Sequence, residues 1–241
     1  MRRETQNVLL VLLGGALLKI ALNGDYLRYV RPAQQPWILG GGFVILALGV
    51  VAMVRDMLAA AGSRKRVAHP VGHHHPARTA WLLMVPVLAV FLVAPPALGS
   101  DSVARSRERA PQGSEARPAI AFPPLPPGEV VPLPVSDFVT RAGWDDTGTL
   151  DGRTVSITGF VVHDERGTSL ARLVIGCCAA DAYPVTVRLP AGVAETMPSD
   201  TWVEVTGALV PESANRANRY TPELTVRTVR AIAAPPDPYE Y

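Results

Sequence analysis

The chain has 241 residues, of which 48% are hydrophobic and only 18% charged, with a formal net charge of +2; ordinary soluble chains carry about 25% charged residues. The imbalance is local: residues 1–100 hold 10 Lys/Arg against 3 Asp/Glu, and residues 101–241 hold 13 against 18. These proportions exclude a uniformly soluble enzyme and a disordered polymer, and 6% aromatic residues with little net charge give no nucleic-acid-binding surface.

Three apolar stretches lie in the first hundred residues, and they predict a membrane region over 1–98 with helices near 8–27, 37–54 and 80–98. Val8 to Leu22 is broken only by Lys19, which can extend its ammonium to the interface or face a partner helix. Arg2 and Arg3 precede it, but no small-x-small cleavage site follows, so it reads as an uncleaved span rather than a signal peptide. Trp37 to Val54 has no charge, is long enough as helix for a bilayer core of about 30 Å, and ends at Arg55-Asp56. Ala80 to Leu98 carries Pro86, Pro95 and Pro96, and the proline pair marks the exit from the membrane. The ending Ala97-Leu98-Gly99-Ser100 has the look of a signal-peptidase site, but its internal position argues against cleavage. The cluster Arg64-Lys65-Arg66 in the 55–79 loop points to a cytoplasmic loop and an extracytoplasmic C-terminal half of a multi-pass cell-membrane protein.

Residues 99–134 contain eight prolines, among them Phe122-Pro123-Pro124-Leu125-Pro126-Pro127, and predict an extended linker rather than a packed element. From 135 to 241 the texture is that of a soluble β domain. Val135 to Ala142 predicts a short helix. Thr154–Val162, Leu170–Ile175, Val185–Leu189, Trp202–Val210 and Leu224–Ile232 predict strands as short β-branched runs at regular spacing, several of them alternating with period two. Val155-x-Ile157-x-Gly159 and Val203-x-Val205-x-Gly207 place glycines at matched positions, as at a barrel corner. Five short strands in about 100 residues predict a small closed barrel of OB-like topology. The fold class is thus three transmembrane helices plus a small all-β barrel.

Both cysteines are adjacent, in Gly176-Cys177-Cys178-Ala179-Ala180-Asp181. Neighbours in a strand face opposite ways, and a disulfide between them would be strained. Three readings stay open: buried small apolar residues, ligands of a soft or borderline metal with Asp181, or a redox pair. The last lacks a Cys-x-x-Cys spacing and a nearby basic residue. His163 is the domain's only histidine and reads as a surface or turn residue. A second metal candidate is His69, His73, His74 and His75 in the 55–79 loop, a short tract able to hold a divalent ion such as zinc weakly. Asp145-Asp146 reads as a turn. No nucleophile elbow, phosphate loop or His-Glu-x-x-His motif occurs, so the chain is not expected to be an enzyme.

Taken together, the chain resembles the YcgQ-like bacterial family of two-component membrane permease subunits. The resemblance is carried by Gly24-x-Tyr26-Leu27-Arg28-Tyr29-Val30, by the His-bearing loop before a span ending Pro95-Pro96-x-Leu98-Gly99, and by Cys177-Cys178-Ala179-Ala180-Asp181-Ala182-x-Pro184-Val185. It implies an accessory subunit paired with a multi-span permease, embedded in lipid, with a connection to metal homeostasis. Three spans are few for a transport pathway of the chain's own. The alternative is a stand-alone envelope protein that binds or senses metal through Cys177, Cys178 and Asp181.

Overall fold

The computed structural model describes residues 3–62, 96–108 and 122–241, with single positions at 85, 88, 89, 92 and 93. The chain divides into two units, Met1–Pro96 and Ala97–Tyr241.

In the first unit, α1 (Arg3–Asn23) and α2 (Gln35–Gly62) form an antiparallel hairpin. Glycines set their spacing. A Cβ on Gly14 would lie 2.6 Å from the Leu46 nitrogen, and one on Gly49 would lie 2.9 Å from Val11, so the helices meet nearly backbone to backbone. Asn7 donates to the Asp56 carboxylate at 2.7 Å near one end, and Gln35 donates to the Ala21 carbonyl at the other. The first helix stops at Asn23, four residues short of the expected end. Gly24 takes φ +82°, a left-handed stop, and Asp25–Arg28 follows as a 3-10 turn with Tyr26 buried. Both helices are long and apolar enough to cross a membrane, and within the Pro32–Ala59 stretch only Gly42 and Gly49 are buried. Trp37, Phe43, Leu48 and Leu58 are exposed apolar groups on α2. The expected third helix falls mostly outside the described residues, as do His69, His73, His74 and His75. Its last two residues belong elsewhere, for Ala97 and Leu98 pack against the core of the second unit.

The second unit is built on β2 (Thr154–Asp164), β3 (Gly167–Val174), β4 (Tyr183–Arg188), β5 (Trp202–Leu209) and β6 (Leu224–Ala231), joined antiparallel in the order β4-β3-β2-β5-β6. Two short strands add parallel pairings: β1 (Val130–Pro132) on β2, and β7 (Tyr239–Glu240) on β3. The expected closed barrel is corrected to an open seven-stranded sheet. The edge strands β4 and β6 meet at one parallel bridge, Arg188 to Glu223. Arg188 is the last residue of β4 and Glu223 precedes β6, so the strands overlap by a single position before Pro190 ends the approach.

The matched glycines have a steric cause. A Cβ on Gly159 would lie 2.5 Å from the Ala171 carbonyl oxygen, and one on Gly207 would lie 2.3 Å from that of Thr225. The pairing register of β5 on β6 also shifts between Thr206 and Gly207, a bulge where the sequence placed a bend.

Helices cover both faces. α4 (Val135–Trp144) lays Val135 and Phe138 on the core of Val155, Ile157, Val161, Val203 and Val205. α3 (Ser100–Glu108) inserts Val103 beside Phe160, Val162, Leu173 and Tyr239 on the other face. The stretch Gly159–Val162 of β2 is therefore buried on both sides rather than half-buried. In the described parts of 99–134 some residues pack on the sheet. Asp200 accepts from the Ser100 backbone N–H at 2.6 Å and from its hydroxyl at 2.8 Å, anchoring the first turn of α3. Leu125 and Val131 are buried. Burying Val103 contributes about 2 kcal/mol of transfer free energy.

Candidate metal centre

β3 delivers the chain to this site. Just after β3 the core residue Ile175 donates its N–H to the Glu240 carbonyl at 3.0 Å, and Gly176 then turns away from the sheet. Cys177 and Cys178 lie in the loop between β3 and β4, so strand alternation does not separate them. Their sulfurs stand 3.6 Å apart. Cys177 is exposed and Cys178 half-buried, so the pair is not a buried apolar element.

Asp181 organises the loop. A 3-10 turn over Ala179–Asp181 brings it back, with its N–H donating to the Cys178 carbonyl at 3.0 Å. Its carboxylate accepts the N–H of Gly176 at 3.0 Å on one oxygen and that of Cys177 at 2.8 Å on the other. Gly176 suits the approach, since a Cβ there would lie 3.1 Å from Asp181 Oδ2. Ala179 and Ala182 pack against the α3-side core. The alanines thus anchor the motif, while Cys177, Cys178 and Asp181 present their ligand atoms within 4.8 Å of one another. Two thiolates on tetrahedral zinc, with bonds of about 2.3 Å, sit about 3.8 Å apart. The sulfurs already have that spacing, and drawing in the carboxylate takes a shift of about 1 Å in exposed side chains.

The electrostatics of the unloaded loop keep the Cys177 thiol protonated. The Asp181 carboxylate, and next the Cys178 sulfur, push the Cys177 thiol up to about 11. Asp181 is held below the usual carboxylate range, first by the Cys177 backbone N–H and then by its thiol. Because the thiolate is the nucleophile, alkylation of Cys177 should rise about tenfold per pH unit between pH 7 and 10. An Asp181→Asn variant should carry roughly a hundredfold more thiolate at pH 8, as the thiol returns toward its ordinary value. Iodoacetamide labelling followed by peptide mass spectrometry reads this; equal rates in the two proteins would remove Asp181 from the account.

The other singled-out residues are structural. His163 Nε2 donates to the Met197 carbonyl at 2.7 Å, which leaves Nδ1 to accept from the Thr168 hydroxyl at 3.1 Å. Asp145 closes a turn, accepting from the N–H and hydroxyl groups of Thr147 and Thr149. Burial raises its pKa, but these donors outweigh burial and bring it to about 2. Sequence reasoning passed over Arg172, buried in β3 over the Trp202 ring at 4.7 Å and facing Glu240. The signal was an arginine inside the apolar run Leu170–Ile175.

Fold and site together define a β-sheet domain with an exposed thiol–carboxylate loop, in a chain that also carries two helices able to cross a membrane. Residues 144–241 match the model of an uncharacterised family, the DUF1980 C-terminal domain. The match takes in β2 to β7 and the whole Cys177–Asp181 loop. Comparison with the curated proteins gave no match. Comparison with the solved structures gave none either.

Proposed function

We propose that this chain is a membrane-anchored accessory subunit of a permease complex, whose sheet unit captures a divalent ion on Cys177, Cys178 and Asp181. The observation that carries the metal reading is the placement of two sulfurs 3.6 Å apart, beside a carboxylate, on one exposed loop. Two thiolates with one carboxylate form a borderline donor set that suits zinc. The exposed apolar surface of α2 supports the anchor, because a core helix of a soluble protein would be buried. The permease partner rests on the resemblance to YcgQ-like subunits. An extracytoplasmic sheet unit follows the basic Arg64-Lys65-Arg66 cluster. A stand-alone metal-binding envelope protein is the second reading, favoured by the fact that the three ligands come from one loop and need no partner to assemble.

Purification in mild detergent from the native host, with metal analysis and mass spectrometry of co-eluting proteins, tests both. The expected result is a multi-span permease in near-stoichiometric amount and about one zinc per chain. A Cys177→Ser/Cys178→Ser variant should lose the metal and keep both fold and partner, since neither thiol belongs to the core. Metal without a partner selects the stand-alone reading. Equal metal content in the double variant removes the loop from either.

A further inference from the structure

We propose that the Cys177–Cys178–Asp181 site is an exchange site: it fills three positions of a tetrahedral divalent ion and leaves the fourth open to a nitrogen or sulfur ligand of an acceptor. The inference rests on the metal reading above and concerns how the ion leaves.

Ligand count comes first. Among the described residues, the group within ligating reach comprises these three side chains alone. Asp181 accepts one backbone N–H on each oxygen, which favours a single bond to the ion over a bidentate one. His163 is held by Met197 and Thr168. Thr168 lies at the start of β3 and the loop follows its end, so at about 3.3 Å per residue His163 is roughly 20 Å away. Closed structural zinc sites have four protein ligands, whereas a site with three keeps an exchangeable position.

Exposure comes second. Cys177 and Asp181 are exposed among the described residues, so both present their ligand atoms to solvent. A hydrolytic site would also need a pocket for its substrate beside the metal. The cavity of about 350 Å³ in this unit is lined by Arg166, Arg188, Leu189 and Glu223, at the other end of β3. An open, solvent-facing three-ligand site is arranged for passing an ion on.

Cobalt(II) makes the coordination visible. The full chain in detergent, stripped and reloaded with one equivalent of Co²⁺, should show thiolate-to-cobalt charge transfer in the near ultraviolet and tetrahedral bands in the visible. Added imidazole should then shift the visible bands saturably, with isosbestic points, while charge transfer persists and cobalt stays with the protein. Persistent charge transfer with visible bands unmoved by imidazole means a closed site and overturns the exchange inference alone. Loss of cobalt without any imidazole-bound spectrum on the way overturns it too, since the ion would then leave with no shared intermediate. Absence of thiolate charge transfer in the wild-type chain removes the metal reading itself.

Discussion

Glu240→Ala is expected to cost the sheet unit about 3–5 kcal/mol, the range for removing one partner of a buried ion pair. Glu240 is 11% exposed and faces Arg172, 10% exposed, at 3.7 Å. It also receives the first free N–H groups of α4, from Val135 at 2.8 Å on one oxygen and from Ser136 at 2.7 Å on the other. The variant therefore uncaps a helix and strands a guanidinium whose Nε and Nη1 have no hydrogen-bond partner among the described residues. Nη2 keeps the Asp237 and Tyr239 carbonyls, and Trp202 keeps its ring over the group. Burial already lowers the Arg172 pKa, and Glu240 is the first of the charges opposing that shift. Two companions separate the contributions. Glu240→Gln keeps a cap acceptor and loses the charge, so it should fall between wild type and alanine. Arg172→Met combined with Glu240→Ala should recover part of the loss, because the stranded charge goes with it. Thermal and urea unfolding of the full chain in detergent measures all three. A cost below about 1 kcal/mol for the alanine variant would show that the pair is solvated rather than buried.

Gly207→Ala should be the next most damaging change, at about 2–3 kcal/mol. The new Cβ would lie 2.3 Å from the Thr225 carbonyl oxygen and 2.9 Å from the Leu224 side chain. The first of these is backbone of the neighbouring strand, so relief requires parting β5 from β6 at the bulge. Gly159→Ala meets the Ala171 carbonyl at 2.5 Å and should behave alike. Gly143→Ala is the control: its Cβ meets only the Tyr220 ring, at 3.5 Å, and alanine favours the helix by up to about 1 kcal/mol. Unfolding curves that rank Gly143→Ala with the other two would mean that close strand approach is not the reason for the glycines.

The five long strands and α4 were legible because each carries its own apolar run or period over five or more residues. β1 and β7 were not, since three and two residues hold no period. α3 escaped for a different reason. Ser100–Glu108 contains few apolar residues, and its placement depends on Asp200 and on the face that receives Val103. Barrel closure was misjudged because strand number is visible in a sequence and the stagger between β4 and β6 is not. At the site, the ligand types were legible from Cys177-Cys178 and Asp181, but not their convergence. That convergence requires Gly176 to leave the sheet and a 3-10 turn to bring Asp181 back, both local backbone events that residue types alone do not specify. Arg172 and Glu240 lie 68 positions apart and meet only because β7 is parallel to β3.

The stitching of this unit has a kinetic consequence. The Leu98 N–H donates to the Tyr239 hydroxyl across 141 positions, Ser100 reaches Asp200 across 100, and Val135 reaches Glu240 across 105. A nine-residue helix such as α3 cannot hold itself in water, so it waits for the sheet. α4 likewise lacks its cap until β7 has docked. High contact order of this kind puts folding toward the slow end of the range, because long loops must close before their contacts return any free energy. The helices synthesised first are thus completed last, and until then the unit exposes unpaired strand edges of the kind that chaperones exist to shield.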